Sequence, residues 1–255
     1  MRLIVNADDL GINMTVNDAI FDHISRGLVT SASIIANGPA ASDAIRRASA
    51  FANTSFGVHL NLTEFSPLTH AAALAPILDK DGHFRMNAIR EVPIGATLLW
   101  AIYNEWRAQI LHIRAMGLAP SHIDSHHHTH TIPSLFVALK GLQVDLGIQN
   151  VRTTRNIYAN MPPNARKLLL RKKLWHNIVR WTWPSHTTHG FTSFEDFRIV
   201  VERGELNLWL RSGIKNLCVE VMVHPGVPQY ATETAALDIS WFRRKGISLV
   251  NYNDI

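Results

Sequence analysis

Short apolar runs alternate along this chain with stretches of helical periodicity, and that alternation constrains the fold more than any other feature. Residues 2–7 are an apolar, strand-like run. Val16 to Gly27 follows with Val16, Ala19, Ile20 and Ile24 on one side, and Gly27 is placed to close a helix there. Residues 28–36 read as a second strand, 40–51 as a helix and 56–62 as a third strand. Residues 103–116 read as a helix stopped by Gly117 and Pro120, and 121–125 as a short strand. A helix from Pro133 to Gly147 and strands at 151–153, 217–223 and 247–251 complete the pattern. Strand followed by helix followed by strand implies parallel strands with crossover helices, an α/β fold. Periodicity leaves open whether the sheet stays open or closes into a barrel. In both cases ligands bind at the carboxyl ends of the strands, so the polar residues at those ends are the ones to follow.

The length of 255 residues fits one large domain spanning 1–255, and the hydrophobic share of 47% is ordinary for a chain with a sizeable core. Cys218 is the single cysteine, which excludes a disulfide scaffold and a cysteine-based zinc site and fits a reducing compartment. No secretory pattern precedes Leu3-Ile4-Val5, and no stretch approaches the roughly 18 apolar residues of a membrane span. A soluble, cytoplasmic chain is expected. The formal charge of +5 is unevenly spread. Residues 156–190 hold Arg166, Lys167, Arg171, Lys172, Lys173 and Arg180 with Trp175, Trp181 and Trp183, and no acid. The plain reading is a solvated helix face with tryptophans packed beneath it. The sharper reading is a surface that meets phosphate or a lipid headgroup layer, a peripheral membrane contact. No nucleic-acid recognition motif accompanies the charge, so no nucleic-acid partner is expected. The oligomeric state is not legible, and a homodimer is compatible with the chain.

The strand ends carry the chemistry. The first strand ends in Asn6-Ala7-Asp8-Asp9. Adjacent residues of an extended chain point opposite ways, so the two acids can divide labour, one toward a cation and one toward substrate. In Gly57-Val58-His59-Leu60-Asn61-Leu62, the aliphatic residues alternate with His59 and Asn61, which therefore share the opposite, inner face. The tract SHIDSHHHTH at 121–130 places His122, Asp124, His126 and His128 on one face if extended. If the chain curls after Ser125, His126 and His130 share a face instead. Asp124 suits the partner that fixes a ligating histidine's tautomer. The run Leu217 to Val223 ends in His224-Pro225-Gly226, a tight turn that holds His224 at the strand's lip. Imidazole and carboxylate donors together suit Zn, Fe, Co or Ni and leave Mg or Mn possible with retained water.

The motifs VNADDLGI at 5–12, GVHLNLT at 57–63, HIDSHHHTH at 122–130 and VEVMVHPG at 219–226, in that order over the whole chain, resemble the YdjC-type carbohydrate deacetylases, to which chitooligosaccharide deacetylases belong. Leu10 departs from the phenylalanine common there, and 156–190 matches nothing diagnostic. The resemblance implies a deformed (β/α) barrel and one divalent metal ion, Mg²⁺ by family habit. It implies hydrolytic removal of acetyl from an N-acetylated sugar. It puts the metal on Asp9, His59 and His126, the catalytic base on Asp8 and the acid on His224. His130 is the rival acid or third ligand, and Asp124 orients a histidine. Arg152 and Arg155, just past a strand, are candidates to hold a substrate hydroxyl, carboxylate or phosphate, or else form surface salt bridges. The acceptor is a soluble oligosaccharide by default, or a lipid- or phosphate-linked glycoconjugate. A metal-dependent phosphoesterase and a non-catalytic metal- or sugar-binding protein are the rival readings.

Overall fold

The computed structural model describes residues 1–161, 164–182, 185–206 and 216–255. Eight parallel strands form one sheet: β1 (Arg2–Leu10), β2 (Ser31–Ile34), β3 (Ser55–Leu60), β4 (His122–Ser125), β5 (Asn150–Val151), β6 (Gly190–Ser193), β7 (Cys218–Val223) and β8 (Ser248–Val250). Their order is β5-β4-β3-β2-β1-β7-β6, with β8 beside the first half of β1. The sheet curls, and its two edges approach through two isolated bridges, Asn150 to His186 and Asn156 to Phe191, rather than a continuous ladder. The result is a deformed α/β barrel: the strand–helix alternation implies the parallel α/β class, and the resemblance implies the barrel. The helices between strands are, among the described residues, α1 (Met14–Ser25), α2 (Ala41–Ala48), α3 (Ala88–Glu91), α4 (Ala96–Ala115), α5 (Phe136–Leu146), α6 (Ala165–Trp181), α7 (Phe194–Glu202), α8 (Ala231–Ala235) and α9 (Ile239–Arg244), besides short 3₁₀ turns. Among the described residues no helix is long and apolar enough to cross a membrane.

Local chemistry explains the boundaries. α1 starts two residues before Val16 because the Asn13 side chain accepts the Val16 backbone N–H, satisfying a helix-start donor. Its Val16, Ile20, Phe21 and Ile24 are buried against the sheet. β6 and α7 were not anticipated. Gly190–Ser193 offers one large apolar residue, too little to read as a strand, while α7 begins with a capping signal: Ser193 Oγ accepts the Asp196 N–H.

The strands divide their side chains between two unlike surfaces. Leu3, Val5, Ala7, Val58, Leu60, Val219, Val221 and Val223 are fully buried in the core cluster shared with the helices. The opposite residues, Asn6, Asp8, Ser33, His59, His122, Asp124 and Glu220, fill the barrel interior and are equally buried. Polar groups taken out of water need partners, and these residues have them, with Asn6 Oδ1 the exception. Asn6 Nδ2 donates to Asp8 Oδ1 (2.8 Å) and Ser33 Oγ (2.9 Å), and Ser33 Oγ donates to Asp124 Oδ2 (2.8 Å). Gly57 makes the room: a Cβ there would sit 2.4 Å from the His122 ring. That ring stacks on Tyr252 with centroids 3.8 Å apart.

Candidate active site

At the carboxyl end of β1 the backbone does something an ideal strand cannot. The register with β2 shifts between Ala7 and Leu10, and Asp9 takes a positive φ of 68°. A bulge of this kind re-aims a side chain. Asp8 keeps its inward direction into the polar interior, and Asp9 is turned toward the mouth. Asp9 Oδ1 lies 2.8 Å from His126 Nδ1 and 3.4 Å from His59 Nε2. The two acids point different ways because of this bulge rather than because of simple strand alternation.

His59 comes from β3. Its Nδ1 is 2.8 Å from Asp124 Oδ1 on β4, which leaves Nε2 facing Asp9. A carboxylate behind an imidazole fixes tautomer and ring orientation. His126 is the first residue past β4, where the chain turns sharply: His127 and His128 both have positive φ, 50° and 55°. Positive φ in residues other than glycine is uncommon and gathers at sites where geometry outranks backbone comfort. Of the histidine tract, only His126 reaches this cluster; its companion imidazole is His59. His122 is an interior core histidine whose pKa burial pushes down to about 3. His130 Nδ1 pairs with Ser125 Oγ at 2.6 Å, and burial lowers its pKa to about 4. His128 packs edge-on against Phe191.

Asp9, His59 and His126 have the chemistry to hold a divalent cation. Their donor atoms lie within 4.8 Å of one another. Asp9 Oδ1 faces His126 Nδ1 and His59 Nε2 without a well-aligned hydrogen bond, and His126 Nε2 is buried with only the Glu64 carboxylate nearby at 3.5 Å, so these donor atoms keep lone pairs that a cation could use. Asp8, Asp9, Asp124 and Glu220 are all buried here; Arg152 meets Asp8, Asp124 and Glu220, which leaves Asp9 to the two imidazoles. Burial alone would push His59 toward neutrality, yet Asp124 and Asp9 raise its pKa to about 10. Two imidazoles and one carboxylate suit a transition metal, and Mg²⁺ would keep waters as additional ligands.

Arg152 is the largest departure from expectation. It is no surface cation: it is 2% exposed and reaches into the barrel from the end of β5. Nη1 and Nη2 grip Asp8 in a two-pronged pair at 2.8 and 2.6 Å, Nη2 is 2.8 Å from Asp124 Oδ2, and Nε donates to Glu220 Oε1 at 2.8 Å. Burial raises the Asp8 pKa, and the Arg152 charge and hydrogen bonds outweigh it, so Asp8 is held below the usual carboxylate range. Glu220, the acid inside an otherwise apolar strand, is pushed by burial up to about 7 despite Arg152, and accepts the Tyr252 hydroxyl at 2.6 Å. His224, after β7, stacks on Tyr230, and its Nδ1 faces Glu233 Oε2 at 4.0 Å. Burial lowers its pKa, but the Glu233 carboxylate and the acids of the mouth reverse the sign and leave it raised.

Residues 2–246 match the family model for YdjC-like protein. The chain belongs to that family. Curated members named carbohydrate deacetylase align with it at 27% identity over the whole of both chains (Clostridium beijerinckii) and at 32% over 70% of each (Halalkalibacterium halodurans). A crystal structure from Enterococcus faecalis, described as a cellobiose-phosphate cleavage protein, superposes with a TM-score of 0.75 at 25% identity, covering 99% of this chain and 98% of that one. The enzyme expected from the YdjC-type motifs has curated deacetylases as its relatives.

Within this YdjC-like site, two expected residues stand elsewhere. Asn61, expected on the inner face beside His59, does not reach the Asp9, His59 and His126 group. The chain turns after Leu60, and Asn61 Oδ1 accepts the Thr63 and Glu64 backbone N–H groups at 2.9 and 3.2 Å while Nδ2 donates to Asn37 and to the Glu64 carbonyl. Its work is to shape the loop that carries Glu64. Arg155 lies outside the cluster and lines a different hollow beside α6, with Tyr158, Lys173 and Trp181. Glu64 itself was missed: its carboxylate is 3.5 Å from His126 Nε2, and it forms a second donor group with His126 and His127. An acid four residues past Leu60, just beyond the GVHLNLT motif, was the available signal.

Proposed function

We propose that this chain is a metal-dependent carbohydrate N-deacetylase that removes acetyl from an N-acetylated amino sugar. The observation that carries the reading is the meeting of Asp9, His59 and His126 at adjacent strand ends, with Asp124 behind His59, in a YdjC-like chain. Asp9, His59 and His126 would hold a divalent cation, Mg²⁺ by family habit or Zn²⁺ by donor type, which supplies the Lewis acidity that makes water an effective nucleophile near neutral pH.

Asp8 accepts a proton from the attacking water. A carboxylate has about four acceptor positions; Arg152 takes two and Asn6 one, so one remains for water. Asp8 is ionised at neutral pH because Arg152 holds it so. Water adds to the acetyl carbonyl carbon, the C–N bond breaks, and His224 gives a proton to the departing amine, which is otherwise too basic to leave. The raised pKa of His224 supports that donor role. His130, lowered to about 4, is neutral at pH 7 and is the poorer candidate.

The test is acetate release from N-acetylglucosamine oligomers. Wild type should release acetate, chelated protein should lose activity and regain it with metal, and Asp8→Asn should lower the rate by about 10²- to 10⁴-fold. Full activity in Asp8→Asn would overturn its role. The cellobiose-phosphate description of the Enterococcus structure and the surplus donors Glu64 and His127 favour one second reading, a phosphoesterase. Phosphate rather than acetate release from a parallel ester panel would select it.

A further inference from the structure

α6 is amphipathic the wrong way round for a helix on a water-facing surface. Its inner side buries His176 and Val179. Its outer side exposes Leu170 (69%), Leu174 (59%), Ile178 and Trp181 (80%). Spacings of four, four and three residues put these four on one stripe of a 3.6-residue helix. At 17 residues the helix is about 25 Å long, so the stripe runs most of its length. Successive steps of about 100° place Arg166, Lys173 and Arg180 along one border of the stripe and Arg171 along the other. The helix carries six basic residues and no acid. A continuous apolar stripe on the solvent side has a purpose other than packing the fold. Trp183, the third tryptophan of this segment, lies outside the described residues.

Beneath the same helix is a cavity of about 390 Å³. Its helix wall includes Leu174, Trp175 and Ile178, two of which also belong to the exposed stripe. Its inner wall includes His130, Phe191 and Arg152, the residue that grips Asp8. The metal cluster is not in the wall. The cavity therefore leads from the apolar edge of α6 to the arginine behind the catalytic base, Asp8.

We propose that α6 is a membrane-docking helix. It seats the barrel mouth on an anionic lipid surface, and the sugar arrives attached to a lipid whose apolar part enters the cavity under α6. The occupant follows from charge and apolarity together: basic flanks meet anionic headgroups, while leucine, isoleucine and tryptophan enter the interfacial layer. The docking claim stands alone; the lipid-linked substrate rests on the deacetylase reading above.

The test is flotation of the metal-loaded full chain with phosphatidylcholine vesicles, with and without phosphatidylglycerol. Wild type should float with the anionic vesicles and be released by salt. The Leu170→Glu/Trp181→Glu pair, outside the cavity wall, should lower partitioning at least about tenfold, and Arg166→Glu/Lys173→Glu should act in the same direction. The Leu170/Trp181 pair should keep wild-type acetate release from soluble oligomers and lose it on a lipid-linked N-acetylglucosamine in vesicles. Absence of flotation, or flotation unchanged in both pairs, would overturn the docking. So would a solution dimer abolished by Leu170→Glu/Trp181→Glu, which would assign the stripe to a second copy, or tight binding of a single-stranded oligonucleotide with no vesicle binding. Flotation without acetate from either substrate would retain the docking and remove the deacetylase reading.

Discussion

The barrel interior and the outer face of α6 break opposite rules of burial. The interior, built by β1 to β4 and β7, puts acids, histidines and an arginine where a barrel of this size normally packs branched aliphatics. The α6 face puts leucine, isoleucine and tryptophan where a helix normally shows charge. The interior is tolerable because each charged group has a partner at hydrogen-bond distance. The α6 face has no such compensation among the described residues. The first arrangement is therefore self-sufficient chemistry held in place by the fold, and the second is a surface that asks for something outside it.

The largest test of that contrast is Arg152→Met. It leaves Asp8, Asp124 and Glu220 buried without their shared cation, and removing one partner of a buried ion pair costs about 3–5 kcal/mol. Urea unfolding of metal-loaded protein should show this loss. A loss under about 1 kcal/mol would mean that the interior does not depend on Arg152. Arg152→Lys should recover little, because one ammonium cannot reproduce the two-pronged grip on Asp8 together with the bond to Glu220.

A pH experiment probes the same network from Glu220. Its folded pKa of about 7 lies above its ordinary 4.5, so the folded protein holds this proton more tightly than the unfolded chain. The contribution to stability is then complete below about pH 4.5 and is lost as pH rises toward 7, by up to about 3 kcal/mol. The difference in unfolding free energy between wild type and Glu220→Gln should therefore slope across that window. Parallel curves would show that Glu220 ionises normally. Asp124→Asn has a smaller reach: it loosens His59 without removing a ligand, and metal affinity measured by competition titration should fall about 10- to 100-fold. Unchanged affinity would detach Asp124 from the metal site.

How far the two regions could be read from sequence differs for a physical reason. Asp9, His59 and His126 stand at strand ends in a chain whose α/β alternation is plain, and the rule that such ends converge brings them together. Arg152 read as a substrate-holding or surface-paired cation because burial of an arginine depends on acids 144, 28 and 68 residues away, on β1, β4 and β7. Local pattern carries none of that. The Asp9 bulge is also invisible locally, since an extra residue in a strand shows only in the register with its neighbour. Asn61 differs for the opposite reason: strand alternation was extended past Leu60 to Leu62, where the chain had already turned. For α6, the absence of acids was legible; which face turns outward was not, because that depends on what the rest of the fold covers.

The smallest expected effect is the most discriminating for α6. In the pair Leu170→Glu/Trp181→Glu both side chains are more than two-thirds exposed, so the substitutions give up almost no packing in the isolated protein. Stability in the absence of lipid should change by less than about 0.5 kcal/mol, the usual range for surface substitutions. A single buried leucine truncated in the core costs several times more. Thermal unfolding at low protein concentration, without vesicles, measures this directly. A loss of about 2 kcal/mol or more would mean that the stripe is already covered by another part of the chain or by a second copy. The contrast between a self-sufficient interior and an unsatisfied surface would then fail at its second half. No loss, combined with lost vesicle flotation, would separate the role of the stripe from the stability of the fold.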